Sequence, residues 1–167
     1  DQRNIDTLGG RKRQRINLLG STTYGAELTG GVHLLERLNL DGHFTYMHTR
    51  ARVASSTGAD STSYISEKPE YVGTIAASYN FPFGLTPAVE LQLTGQSFTL
   101  NDDNRFIALG ASGLVNARIS WQSTIPSLGS VTTLFVRVNN IANTAVLPQL
   151  GLPAAGREFQ AGLRASF

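Results

Sequence analysis

The stretch Gly156-Arg-Glu-Phe-Gln-Ala-Gly-Leu-Arg-Ala-Ser-Phe167 closes the sequence, and its alternation decides the fold. Its odd positions carry Phe159, Ala161, Leu163, Ala165 and Phe167, whereas its even positions are polar or glycine. Strict period-2 alternation predicts a β-strand with one apolar and one polar face.

The composition restricts the class of protein. The chain has 167 residues and 41% hydrophobic residues, but its 16% charged residues fall below the roughly 25% usual for soluble domains. No run approaches the ~18 consecutive apolar residues of a transmembrane helix. The net charge of +2 argues against a nucleic-acid partner, and the absence of cysteine excludes disulfides and thiolate metal sites.

The same alternation recurs along the chain and predicts about seven long strands. They cover residues 13–35, 38–53, 69–81 and 87–99, one segment between 113 and 126, one between 129 and 142, and the terminal stretch. Connections near residues 36, 83 and 127 are short, and those near 60, 106 and 149 are long. This pattern predicts an all-β, antiparallel, up-and-down transmembrane β-barrel segment with short periplasmic turns and long extracellular loops. Residues 1–12 are polar, and we expect a loop there.

The aromatic residues are expected at the two membrane interfaces, as in such barrels. Tyr79, Phe81, Trp121 and Phe167 belong near the periplasmic rim, and Tyr46 and Tyr71 towards the extracellular rim. Arg50 and Arg52 follow Tyr46 on the same parity, where they would meet lipopolysaccharide phosphates. A soluble β-sandwich binding module with these aromatics in its core is the alternative, but its strands would be shorter.

Three motifs, in order, carry a family resemblance: Tyr24-Gly-Ala-Glu-Leu28, Val138-Asn-Asn-Ile-Ala-Asn143 and the terminal Gly156-Arg-Glu-Phe…Phe167. Together they resemble the carboxy-terminal barrel of TonB-dependent outer-membrane receptors. Ile141-Ala142 departs from the Leu-Phe common in that family. The resemblance implies the bacterial outer membrane and active uptake of a scarce nutrient, such as iron carried by a siderophore.

The resemblance also implies what lies around the chain. Residues 1–167 would be the carboxy-terminal portion of a 22-stranded barrel, with the plug domain and TonB box before Asp1. An odd number of strands cannot close an up-and-down barrel with both ends on one side, which also predicts a fragment or one chain of several. The implied partners are lipid and lipopolysaccharide, the remaining barrel and plug, the TonB complex and, through Phe167, the barrel-assembly machinery.

The polar parity is expected to line the barrel interior, where wall–plug and wall–wall contacts outweigh substrate contact. Mixed charges there predict ion-paired ladders, with Arg118 and Arg137 facing Glu90 or Glu158. The interior-facing residues are Glu27, Asp41, His43, Glu90, Gln92, Arg118, Arg137, Glu158 and Arg164.

Arg11, Arg13 and Arg15 form a basic run that we expect to be a solvated loop. Contact with an anionic ligand, such as a ferric siderophore, is the alternative for this run.

No catalytic or cofactor constellation emerges. His33, His43 and His48 are the only histidines, and no further ligand completes a metal set. No Gly-x-Ser-x-Gly elbow occurs, so an enzyme is not expected. A small self-standing barrel of about eight strands, acting as an anchor or adhesin, remains the alternative. It would need one more strand, for which residues 1–12 look too polar.

Overall fold

A computed structural model describes residues 2–7, 10–15, 19–53, 61–103, 105–125 and 130–166. Side chains are described from residue 19 onward, except at residue 125. The described parts contain no helix long and apolar enough to cross a membrane.

Regular structure in the described residues consists of β-strands. The strands are β1 Gln2–Thr7, β2 Gly10–Arg15, β3 Gly20–Leu34, β4 Leu38–Val53, β5 Ser61–Ser63, β6 Tyr71–Tyr79, β7 Leu85–Thr94, β8 Ser97–Leu100, β9 Phe106–Leu109, β10 Ser112–Ile125, β11 Ser130–Asn139 and β12 Glu158–Ser166.

Seven of these strands form one antiparallel meander in the order β12-β11-β10-β7-β6-β4-β3. Each strand therefore pairs with the neighbours that the seven-strand prediction gives it, and the prediction is confirmed. β3 and β4 reach 15 and 16 residues, longer than the 5–6 residues typical of globular strands. Strands of this length leave two opposite ends of the sheet, which we call the short-turn end and the long-loop end.

The short-turn end contains the connections between β3 and β4, β6 and β7, and β10 and β11. Leu35 and Glu36 both have positive φ, and Arg37 N–H donates to the Leu34 carbonyl at 3.2 Å. Two consecutive positive φ values are the mark of a type I′ hairpin turn, whose twist matches the flanking strands. The predicted turn at residues 82–84 is also confirmed, since Gly84 N–H donates to the Phe81 carbonyl at 3.1 Å.

The expectation of a loop over residues 1–12 is wrong. β1 and β2 form an antiparallel hairpin that brings Gln2 opposite Arg15 and Asp6 opposite Arg11. The first wall strand accordingly begins at Gly20 rather than at residue 13. A hairpin of polar residues is held by its backbone ladder and need not alternate in polarity, so the sequence pattern gave no sign of it.

The long-loop end also has more structure than predicted. Within the connection between β4 and β6, β5 pairs with β4. Within the connection between β7 and β10, β8 pairs with β9 as a separate two-stranded sheet. The sequence had suggested a plain loop at the first place. At the second it had continued one strand to residue 99 before a loop, whereas β7 ends at Thr94 and Ser97–Leu100 belongs to the separate hairpin.

A buried asparagine organises the exit from β11. Asn140 is 3% exposed, and its backbone N–H donates to Asn116 Oδ1 at 2.9 Å. Its side chain accepts from Thr144 N–H at 2.8 Å and donates to the Thr144 carbonyl at 2.9 Å. Asn140 has a φ of 51°, a left-handed conformation that asparagine tolerates better than most residues.

We predict that Asn140→Ala lowers the free energy of unfolding by about 2–3 kcal/mol, because two hydrogen bonds are lost and the backbone is strained. The measurement is urea unfolding of the native-length protein in lipid vesicles. Asn140→Gly is the matched control, since glycine accepts the left-handed backbone but lacks the side-chain bonds. It should recover about 1 kcal/mol of that loss. The explanation would be contradicted if Asn140→Ala had the same free energy of unfolding as the wild type, or if Asn140→Gly were less stable than Asn140→Ala.

Candidate functional site

The meander exposes its apolar side chains instead of burying them. Among the described residues, only Ala51, Val53 and Leu109 form buried hydrophobic core. In contrast, Leu28 is 73% exposed and Phe159 is 72% exposed. A continuous apolar face of this kind requires a non-aqueous cover.

One row of directly paired residues shows how continuous this face is. We call it the apolar row, because every member is hydrophobic and it crosses all seven strands of the meander. The apolar row is Val32, Leu40, Ala77, Val89, Ala117, Val138 and Phe159.

The next row, displaced by one residue, lies on the opposite face, because side chains alternate along a strand. We call it the polar row. Five of its seven members are histidine, asparagine, glutamine or arginine, and the other two are a serine and an alanine. The polar row is His33, Asn39, Ser78, Ala88, Arg118, Arg137 and Gln160. The sheet is therefore a wall with one apolar and one polar surface.

The predicted interface aromatics lie at the two ends of the apolar face. At the short-turn end, Tyr79 and Phe81 contact edge to face at 4.7 Å, and Trp121 Nε1–H donates to the Phe83 carbonyl at 3.2 Å. At the long-loop end, Tyr46 pairs directly with Tyr71. Phe167 lies outside the described residues. The placement fits two girdles, and their contact with the membrane interface stays a prediction.

Hydrogen bonds link the polar side chains across the other face. Glu90 Oε1 accepts from Asn116 Nδ2 at 2.9 Å and from Gln92 Nε2 at 2.7 Å. Nearer the short-turn end, His33 bonds to Asn39, whose Nδ2 donates to Ser78 Oγ at 3.3 Å. These bonds tie neighbouring strands together on the face that the sequence assigns to the interior.

The expected ion-paired ladder is not formed by the described residues of this face. Arg118 stands directly opposite Arg137, and neither arginine makes a salt bridge with another described residue. Arg137 Nε donates instead to Asn139 Oδ1 at 2.7 Å, and Asn139 Nδ2 reaches Glu158 at 3.5 Å. The prediction used residue parity alone, whereas facing partners depend on the register between strands.

The remaining predicted wall residues keep the expected parity. Asp41 pairs with Gly31, and its carboxylate occupies the space that a Cβ on Gly31 would need. Glu27 pairs with Thr45, and Arg164 pairs with Thr133. His43 pairs with Thr29 and Thr74. The described residues bring no three His, Cys, Asp or Glu side chains together as metal ligands.

A cluster at the long-loop end was missed by the sequence analysis. We call Arg50, Tyr64, Phe98 and Phe106 the long-loop cluster. The Tyr64 ring stacks on Phe98 at 4.0 Å and meets Phe106 at 5.6 Å, while the Arg50 guanidinium lies 4.3 Å from the Tyr64 ring centre. Tyr64 and Phe106, two isolated aromatics in predicted loops, were the only signal of it in the sequence.

Arg50 has a further partner in this region. Its Nη2 lies 3.8 Å from Glu70, which also lies 3.7 Å from His48. The Glu70 carboxylate therefore lies within ion-pair distance of Arg50, whereas Arg52 is exposed. Contact with lipopolysaccharide phosphates stays a prediction, and Arg52 is the more exposed of the two arginines proposed for it.

Comparison with known proteins shows the family to which this chain belongs. Residues 1–141 match the family model described as TonB dependent receptor-like, beta-barrel. The chain belongs to this family. Its members are outer-membrane transporters rather than enzymes. We therefore predict that the apolar face of this TonB-dependent receptor wall is the one that meets lipid.

A solved receptor shares the fold. P. aeruginosa FpvA, determined in complex with a heterologous pyoverdine and iron, superposes with a TM-score of 0.65 at 17% identity. The match covers 86% of this chain but only 19% of the FpvA chain. The chain thus corresponds to about a fifth of that receptor's length. A search of curated proteins found no match.

We predict that Ile75→Arg costs about 2–4 kcal/mol of folding free energy in a bilayer, because a charge on the lipid-facing side must enter hydrocarbon. Ile75 is 58% exposed and lies between Gly42 and Leu91 on the apolar face. Unfolding of the native-length receptor in lipid vesicles measures the effect.

Thr74→Arg is the control, since Thr74 precedes Ile75 on the same strand and faces the other way. It should cost less than about 1 kcal/mol, as substitutions inside a barrel remain solvated or paired. Equal costs at the two positions would show that the apolar face has been assigned to the wrong environment.

Proposed function

We propose that this chain is the carboxy-terminal portion of the barrel of a TonB-dependent active transporter for a scarce nutrient such as a ferric siderophore. It supplies barrel wall, extracellular loops and the terminal strand. The observation that carries the proposal is the apolar row crossing all seven strands, backed by the polar row on the other face. Such a sheet separates lipid from a polar interior.

The edges of the sheet support a larger barrel. Within the described residues, β3 and β12 each pair with one neighbour only. Unpaired backbone groups cost several kcal/mol each in hydrocarbon, so both edges require further strands. A 22-stranded barrel with a plugged lumen would supply them. The match covers only 19% of the FpvA chain, so most of that receptor's length lies outside the part that this chain matches.

The partners follow from the surfaces. Lipid covers the apolar face, and lipopolysaccharide meets the long-loop end near Arg52. The polar wall residues face the plug, and the plug couples to the TonB complex. The terminal strand, with Phe167, is presented to the barrel-assembly machinery.

The choice of an iron chelate as substrate rests on two supports. FpvA was solved with a pyoverdine and iron. In addition, the β1–β2 hairpin places Arg11, Arg13 and Arg15 at alternate positions of β2, and only Arg11 stands opposite an acidic residue, Asp6. A net positive hairpin favours the approach of anionic chelates.

The proposal predicts energy-dependent uptake. Cells that lack the native-length receptor should lose accumulation of at least one ⁵⁵Fe-labelled siderophore under iron limitation, and cells with the receptor but without TonB should lose it equally. Uptake that needs the receptor but not TonB would indicate a passive pore. Unchanged uptake of every siderophore tested would remove the iron chelate as substrate.

A second experiment tests whether Arg11, Arg13 and Arg15 of the hairpin attract the chelate. Replacing all three by Gln should reduce the association rate of the chelate most at low salt, because screening weakens steering. If the variant and the wild type have the same association rate at every salt concentration, the three arginines do not contact or steer the chelate and are only a solvated part of the hairpin.

A further inference from the structure

The pairing of Arg118 with Arg137 is the least expected feature of the polar row. The two residues are direct partners on β10 and β11, at the level of Ala117 and Val138 in the apolar row. Like charges directly opposite one another destabilise a sheet, and guanidinium groups do not lose their proton in proteins. Among the described residues, no carboxylate forms a salt bridge with either of them.

Neutral groups hold both guanidiniums in place. The Arg118 guanidinium lies 5.0 Å from the centre of the Phe135 ring, and Arg137 Nε donates to Asn139 Oδ1 at 2.7 Å. Phe135, the one aromatic residue on this parity of β11, lies over Gly162, where a Cβ would come within 2.6 Å of the ring. These contacts orient the arginines without cancelling their charge.

The acid that lines the same depression, Glu90, already accepts hydrogen bonds from other side chains. Glu90 lines the same depression as the two arginines, but its Oε1 accepts hydrogen bonds from Asn116 and Gln92. Asn116 is 6% exposed and also accepts the Asn140 N–H, so this arrangement is fixed to the turn after β11. Glu90 is therefore held by amides and not by the arginines.

Space is left in front of the pair. A depression of about 180 Å³ is lined by Glu90, Asn116, Arg118 and Arg137 together with Ala76 and Ala88. The alanines matter because the neighbouring positions on the same face are polar. Ala76 lies between Thr74 and Ser78 on β6, and Ala88 lies between Thr86 and Glu90 on β7. Their short side chains leave room beside the two guanidiniums.

We propose that Arg118 and Arg137 form a carboxylate-binding site whose occupant is an Asp or Glu side chain of the polypeptide inside the barrel. A carboxylate accepts paired hydrogen bonds from guanidinium forks and removes the repulsion between them. This inference rests on the proposed function, since a plugged lumen puts polypeptide rather than bulk solvent at this depth. The site then locks the interior polypeptide to the last strands of the wall.

The test is hydrogen–deuterium exchange of the native assembly that contains this chain, comparing the wild type with R118Q/R137Q. We expect exchange to rise about tenfold or more in one peptide outside residues 20–166 that contains an Asp or Glu, the loss expected for one charge-assisted hydrogen bond. Replacing that acid by its amide in the double variant should then add nothing, as for two partners in one interaction.

Two variants separate this role from a general effect of charge or packing. Arg164→Gln removes one positive charge from the same face on β12 and should leave the interior peptide unchanged. R118K/R137K keeps the charge but not the planar fork, and it should fall between the wild type and the glutamine variant. Resistance to SDS before heating verifies that each variant has assembled.

Three results would overturn the proposal. Faster exchange confined to β10 and β11 would mean that the arginines only support the wall. Citrate binding lost in R118Q/R137Q, without any change in an interior peptide, would mean a site for a diffusible anion. No change anywhere would mean no partner. The exchange experiment uses no siderophore. A negative result in the siderophore-uptake experiment therefore does not affect this test of the arginine pair.

Discussion

In hydrocarbon every backbone N–H and C=O must be paired within the protein, and the meander meets this constraint by pairing each inner strand with two neighbours. The register fixes which residues meet across strands, and it places the apolar row on one face and the polar row on the other. A slip of one residue in a single strand would exchange the two faces of that strand. Arg118 or Arg137 would then enter lipid, so the hydrophobic pattern selects this register among those that pair the backbone.

The two ends of the wall meet different demands. The short-turn end has tight connections, such as the type I′ turn at Leu35 and Glu36. At the long-loop end the chain leaves the sheet and builds local structure, including β5, the β8–β9 hairpin and the long-loop cluster. The few buried hydrophobic residues among those described, Ala51, Val53 and Leu109, belong to this end. Conventional packing therefore operates mainly outside the lipid-facing part of the sheet.

The sequence predicted those features that depend on residue parity. The strand number, the two faces and the ends at which Tyr79 and Tyr71 lie all follow from period 2 and the spacing of turns. The β1–β2 hairpin escaped because polar strands need only their backbone ladder. The I′ turn carries no Asn-Gly signal, since Leu35 and Glu36 adopt conformations usually left to glycine or asparagine.

The wall contacts could not be predicted, because parity says which face a residue occupies but not which residue stands opposite. The pairing of Arg118 with Arg137 depends on the turn between β10 and β11, and the pairing of Asn116 with Glu90 on the long connection between β7 and β10. An ion-paired ladder and an opposed arginine pair have the same sequence pattern. They differ in charge balance. The ladder neutralises its charges within the wall, whereas the arginine pair requires an anionic partner.

Single spin labels along β11 would test the central claim that this sheet separates lipid from a polar interior. This chain contains no cysteine. Once any cysteine elsewhere in the native-length receptor has been replaced, labels can be introduced one at a time from Thr132 to Val138 in the receptor in lipid. We predict collisions with oxygen at positions 134, 136 and 138, and low oxygen accessibility at 133, 135 and 137, with a period of two residues. Uniform accessibility, or a water-soluble nickel reagent reaching positions 134 and 136, would contradict the assignment of the apolar face to the membrane.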